Sequence, residues 1–227
     1  MDKKLLVRYA IRVTINLVGM GVALFWAAGR LDWWPAWAAL GVMLFWLAAM
    51  PVVSLRANPA LLADYLGSRK GAPRWDAAIV SLLGLVQLIR YIIAGLDQRY
   101  GWTGGFPLGV QLAAFVVCLL GYVLFIWATA SNAFFAQSFR IQGERGHTVA
   151  SGGPYRYVRH PAYAGAIAYE LAVAFLFASW LSFIPTVLCA FLLILRTAFE
   201  DRALQAELPG YAGFAQKVKY RLLPGVW

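Results

Sequence analysis

This chain of 227 residues reads as an all-α protein, a polytopic bundle of five or six transmembrane helices, on three observations. It is 62% hydrophobic and only 13% charged, with mean hydropathy +0.66, whereas a water-soluble domain carries about a quarter charged residues. Its apolar residues gather into six runs, each close to the roughly 20 residues that a helix needs to cross hydrocarbon. Its lysines and arginines fall almost entirely in alternate connections between those runs, as the positive-inside rule requires of a membrane-spanning chain.

The first run covers 9–28 and the second 34–54, with Pro51 near its end as an expected kink. Asn58 and Pro59 have the chemistry of a helix cap and first turn and predict a short interfacial helix over the following residues. The third run is 75–96 and the fourth 107–130. The fifth, 161–178, opens on Pro161, where a missing N–H is harmless. The sixth, 181–199, follows after Ser179 and Trp180, so the last two form a tight helical hairpin. Both are marginal in length, hence five or six spans. Trp33, Trp34, Trp37, Trp75, Trp102 and Trp180 stand at run ends and suggest an interfacial aromatic belt. Small-residue pairs such as Gly19 with Gly21 and Gly84 with Ala94 suggest close helix packing.

Charge sets the expected orientation. Lys3, Lys4, Arg8 and Arg12 precede or open the first run. Arg56, Arg69, Lys70 and Arg74 lie between the second and third. Arg140, Arg145, Arg156 and Arg159 lie before the fifth. Arg196, Arg202, Lys217, Lys219 and Arg221 end the sixth and follow it. That is seventeen cations, against Arg30 and Arg99 on the other side, so both termini and the 131–160 segment are expected in the cytoplasm. Arg90 falls inside the third run, from which a long side chain can snorkel outward. The net charge of +10 is thereby accounted for as topogenic, and nucleic acid is not an expected partner. Cys118 and Cys189 lie in apolar runs and read as small core residues, not as a disulfide or a metal pair. Two histidines and no Cys/His cluster argue against zinc or haem. No glycine-rich dinucleotide fingerprint follows a strand. The first run lacks a convincing cleavage site and is long enough to remain in the membrane.

Three polar groupings could carry chemistry, all expected on the cytoplasmic side. Residues 152–165, GGPYRYVRHPAYAG, combine an irregular glycine-proline backbone with Tyr155, Tyr157 and Tyr163, and with Arg156, Arg159 and His160. Upstream stand Gln142 and His147, Thr148, Val149 and Ala150. At the end of the sixth run, Arg196 and Glu200 are four residues apart on one helix face, followed by Asp201. As a surface ion pair, Arg196–Glu200 would be worth under about 1 kcal/mol; so near a membrane core, charges are a functional signal. His160 reads equally as a cap or as a binding group, and Tyr211 and Tyr220 read as packing residues.

The stretches HTVASGGPYRYVRHPAYAG and RTAFEDRALQAELPGYAGFAQKVKYRLLPGVW resemble the catalytic half of the isoprenylcysteine carboxyl methyltransferase family and the related phospholipid methyltransferases. The shared pattern is a G-x-Y…RHP-x-Y-x-G loop, R-x-x-x-E with a second acid, a tyrosine-bearing tail and a closing R-x-x-P. It covers residues 131–227; the helices in 1–130 match only in being apolar. Here the acid pair is Glu200–Asp201, where the family has two glutamates. The resemblance implies an integral membrane methyltransferase that uses S-adenosyl-L-methionine, bound under a cytosolic cap. By position, the cofactor contacts fall on Gln142, His147, Thr148, Val149, Ala150, Tyr155, His160, Pro161, Ala162, Tyr163 and Glu200, and the acceptor contact on Arg196. The implied partner is a lipid or lipophilic small molecule from the bilayer: a prenylcysteine-like carboxylate, a phospholipid amine or another small lipophile. The residue chemistry agrees. Backbone N–H groups and His or Arg donors suit a carboxylate, Glu200 suits an ammonium, and tyrosine faces suit a sulfonium. Two other classes fit the composition: a membrane NADPH-dependent sterol or enone reductase, and a non-enzymatic scaffold. An abundance of Ala, Arg and Trp suggests a bacterial plasma membrane.

Overall fold

A computed structural model describes residues 3–57, 61–66 and 71–227. The described residues are helical, with no strand. The helices are α1 (Lys3–Ala28), α2 (Trp34–Arg56), α3 (Leu61–Leu66), α4 (Arg74–Tyr100), α5 (Leu108–Ala130), α6 (Pro161–Leu176), α7 (Phe183–Glu207) and α8 (Tyr211–Lys217). Helices α1, α2, α4, α5 and α7 are long and apolar enough to cross a membrane, and α6 is a shorter apolar helix. The chain is an integral membrane protein. The Asn58–Pro59 cap lies outside the described residues.

The surface pattern is that of a protein solvated by lipid. On α1, Val7, Ile11, Ile15, Val18, Val22 and Trp26 are all exposed, at the three- and four-residue spacing of one helical stripe. The opposite stripe, Met20, Ala23, Leu24 and Ala27, is buried. On α7 the exposed stripe is Ile184, Val187, Leu188, Phe191 and Ile194. Trp34, Trp37, Trp102 and Trp180 are exposed as a belt requires, but Trp33 is buried and packs on Phe177, and Trp75 packs between Phe139 and Phe199.

The six longer helices form a ring in the order α1, α2, α5, α6, α7, α4, each packed on the next and α4 closing on α1. Three glycines permit the tightest approaches, and they are not the pairs the sequence suggested. A Cβ on Gly95 of α4 would lie 2.7 Å from Leu24 O of α1, and one on Gly121 of α5 would lie 2.6 Å from Gly165 O of α6, with a reciprocal clash at Gly165. A Cβ added at Gly19 or Gly84 would meet nothing of another element within 4 Å. Small residues serve helix packing in lipid because contact between backbones replaces a hydrophobic driving force.

At the end opposite residues 131–160, Asp97 of α4 accepts hydrogen bonds from Thr103 N (2.8 Å), from the Thr103 hydroxyl and from Ser179 Oγ (2.5 Å). Short α6 therefore traverses the bundle, and the α6–α7 turn is pinned to the far end of α4. Helix α2 runs on through Pro51 to Arg56, and α7 runs past Phe199 to Glu207, so Glu200 and Asp201 stand on a continuous helix.

Arg90 does not snorkel. It is fully buried in the ring and forms an ion pair with Glu170 of α6, which also accepts from Gln87 Nε2 at 2.7 Å. A charge inside hydrocarbon is retained by pairing within the bundle, and here the partner is an acid in the middle of an apolar run. Cys118 and Cys189 are buried free thiols.

Candidate active site

Residues 131–160 fold over the α5, α6 and α7 ends with only two short 3-10 turns, Gly143–Arg145 and Gly153–Arg156. With the α7 end and α8 they enclose a cleft of about 710 Å³, counting its open mouth. Of the residues expected at the site, His147, Thr148, Val149, Ala150, Tyr155, His160, Ala162, Tyr163 and Glu200 all line this cleft.

Gln142, Pro161 and Arg196 are not on its wall. Gln142 is fully buried. Its amide donates to Phe134 O at 2.7 Å and accepts from Arg145, while its backbone N–H donates to His147 Nδ1 at 3.2 Å. It clips the connection together. In the neutral His147 ring that bond places the proton on Nε2, and the ring stacks on Phe134 at 4.6 Å. Burial, with help from the Arg145 charge, holds the His147 pKa below the ordinary histidine value. Pro161 is buried as the first residue of α6.

The Gly152–Pro154 turn depends on a left-handed residue. Gly153 has φ +53, and a Cβ there would run into the Ser131 side chain at the end of α5. This seats Tyr155 in the cleft wall, with Asn132 Nδ2 donating to its hydroxyl at 3.4 Å. Burial pushes the Tyr155 phenol above its usual pKa.

Asp201, fully buried, is the hub behind the wall residues Arg159, His160 and Tyr211. Arg159 grips it with both Nε (2.7 Å) and Nη2 (3.0 Å), Arg221 Nε donates at 2.8 Å, Tyr211 OH at 3.0 Å and Gln205 Nε2 at 2.8 Å. His160 Nε2 stands 3.2 Å from the same carboxylate. Arg159 Nη1 also donates to Val218 O and Lys219 O, and the Arg159 and His160 backbone N–H groups donate to Tyr220 O and Arg221 O. The arginine before His160 is thus the strut that joins the loop to the C-terminal segment. The His160 ring makes no capping bond to α6; it lies between Asp201 and Glu200, whose Oε1 is 3.8 Å from Nδ1. Tyr211 is more than packing, because its hydroxyl bonds Asp201 beside His160.

Glu200 accepts from Tyr163 OH at 2.6 Å, and its side chain keeps 20% exposure. Arg196 does not pair with Glu200 as a surface ion pair would. It is buried, with Nε donating to Asp76 Oδ1 at 2.8 Å and Nη2 to Gln137 O at 2.7 Å, and its guanidinium lies 5.3 Å from the Tyr163 ring centre. Asp76 was not singled out in the sequence; the available signal was an acid in the first turn of an apolar run. The apolar part of the wall, including Phe134, Phe135, Phe139, Leu204, Leu208 and Phe214, carried no local signal at all.

The cleft therefore offers one carboxylate, tyrosine faces, an imidazole N–H, the Arg140 cation and an apolar floor. The carboxylate can accept from a cation, the imidazole and guanidinium can donate to an anion, and the aromatic and apolar faces can take a flat ring. Among the described residues there is no cluster of His, Cys, Asp or Glu able to hold a metal ion. No significant match to a curated protein is found. Residues 112–206 match the model of the isoprenylcysteine carboxyl methyltransferase (ICMT) family, and this part of the chain, from α5 to the end of α7, is isoprenylcysteine carboxyl methyltransferase-like.

Proposed function

We propose that the chain is an S-adenosylmethionine-dependent methyltransferase acting on a lipophilic acceptor drawn from the bilayer. The observation that carries this reading is the cleft itself: Glu200, Tyr155, Tyr163, His147 and His160, brought together from separate segments, at one end of a membrane bundle. Glu200 would hold the cofactor's ammonium, with Tyr163 fixing its second oxygen. His147 Nε2–H, with Arg140, would hold the carboxylate. The Tyr155 and Tyr163 faces would meet the sulfonium, and the phenylalanine and leucine floor would take the adenine. Gln142 and Pro161 act one step back, by shaping the connection and the start of α6. Arg196, one helical turn from Glu200, is assigned to the acceptor. The bound cofactor supplies an electrophilic methyl group, so the protein's own task is positioning and exclusion of water.

The same reading divides the chain into an N-terminal scaffold, 1–130, and a catalytic region, 131–227, with the cleft facing the cytoplasm of a bacterial plasma membrane. Isothermal titration of the purified protein with S-adenosylhomocysteine should show one site per chain, and NADPH should show none. Labelled methyl should pass from S-adenosylmethionine to N-acetyl-S-farnesylcysteine or to phosphatidylethanolamine in mixed micelles. Binding of NADPH without S-adenosylhomocysteine would overturn the reading in favour of a reductase.

A further inference from the structure

The cleft is anchored from outside the family-matched region. Asp76, the third residue of α4, is fully buried. Its Oδ1 accepts from Arg196 Nε at 2.8 Å and its Oδ2 from Phe139 N at 3.0 Å. Arg196 Nη2 in turn donates to Gln137 O at 2.7 Å. The acid of α4 and the cation of α7 thus grip the backbone at 137–139 together, and Ser138 and Phe139 belong to the cleft wall. Asp76 itself does not line the cleft.

This arrangement fixes the guanidinium plane. A planar fork tied at Nε and Nη2 has one corner left, and that corner is Nη1, in a side chain that keeps 10% exposure. The Tyr163 ring lies against the guanidinium, and Tyr163 bonds Glu200. The backbone positions of Arg196 and Glu200, the carboxylate assigned to the cofactor, are about one helical turn, roughly 6 Å, apart along α7. Without Asp76 the Nε–H loses its acceptor, and only the Nη2 bond to Gln137 O would hold the fork.

We propose that Asp76 is a positioning residue for methyl transfer: by holding Arg196 and the 137–139 backbone, it aims Nη1 at the oxygen of the incoming acceptor. This rests on the methyltransferase reading, and it makes α4 part of the catalytic apparatus. The alternative is that the Asp76–Arg196 pair only stabilises the bundle. Stability alone changes how much protein is folded, not the turnover of each folded site.

The test uses the full chain in detergent micelles: wild type, Asp76→Asn, Arg196→Lys and the double variant. Competent sites are counted by S-adenosylhomocysteine titration, and methyl transfer to N-acetyl-S-farnesylcysteine is expressed per site. For Asp76→Asn the expected result is cofactor affinity within about threefold of wild type and transfer per site down at least about tenfold, with the double variant no worse than about twofold below Arg196→Lys alone, because coupled residues lose their effects together. Unchanged transfer per site in Asp76→Asn, or losses that simply multiply, would overturn the inference while leaving the methyltransferase reading intact. Failure of the wild type to bind S-adenosylhomocysteine would overturn both. If Asp76→Asn yields no folded protein, Asp76→Glu, which keeps the charge and displaces the carboxylate by one methylene, is judged by the same per-site criterion.

Discussion

Glu200→Gln separates shape from charge at the point where a cationic ligand would be held. The amide keeps an oxygen to accept the 2.6 Å bond from Tyr163 OH, so the wall should survive. The lost quantity is the charge on the other oxygen, which faces the cleft 3.8 Å from His160 Nδ1. A hydrogen bond to a charged group is worth about 1.5–3 kcal/mol, and each ~1.4 kcal/mol is a factor of ten in affinity. That brackets the loss between about 10-fold and 150-fold. Two features of the site place it toward the lower end: Tyr163 already draws on the carboxylate, and its 20% exposure lets water share the remainder. We expect S-adenosylhomocysteine affinity to fall about 10- to 30-fold, measured by titration calorimetry, with a melting temperature close to wild type. An affinity within twofold of wild type would refute the assignment of Glu200 to the ammonium. An equal loss of affinity and thermal stability would show that Glu200 serves the fold instead.

Gly153→Ala forces an L side chain to φ +53 and into Ser131; left-handed backbone alone costs about 1–2 kcal/mol, and both ligand affinity and thermal stability should fall. Glu170→Ala leaves Arg90 buried without its partner and should destabilise the protein by about 3–5 kcal/mol in detergent-based unfolding, while replacing both charges by methionine should cost much less. His147 has a lowered pKa, so the folded protein favours its neutral form. That contribution is complete above the ordinary histidine value of about 6.5 and is lost as pH falls from there through the folded value. Stability should therefore decline below pH ~6.5, and His147→Asn should flatten that part of the profile. A cysteine placed at exposed Ser151 should be labelled by an impermeant thiol reagent only after the cytoplasmic face is opened; labelling in intact cells would reverse the orientation derived from charge.

The sequence alone determined what depends on local, one-dimensional physics. Apolar run length required membrane helices, and five long helices and one short one stand where the runs predicted, although α1 begins earlier and α7 continues eight residues further. The runs mark hydrocarbon, whereas a helix continues into the polar region as long as its backbone bonds are made. The spacing around His160 and Glu200 carried the family resemblance, and most of the residues it named line one cleft: those between 147 and 163 are near neighbours in the chain, and Glu200 joins them from α7. What tertiary structure alone decided were partnerships between distant residues. Arg90 finds Glu170 eighty residues away, Arg196 finds Asp76 at a separation of 120, and Asp201 gathers donors from positions 159 to 221. Burial compels each of those charges to have a partner, since an unpaired ion is untenable there. Which partner it takes is settled by how the helices close into a ring: by Gly95 against α1 and by Gly121 against Gly165. No spacing along the chain encodes those contacts, because they arise only when two backbones meet.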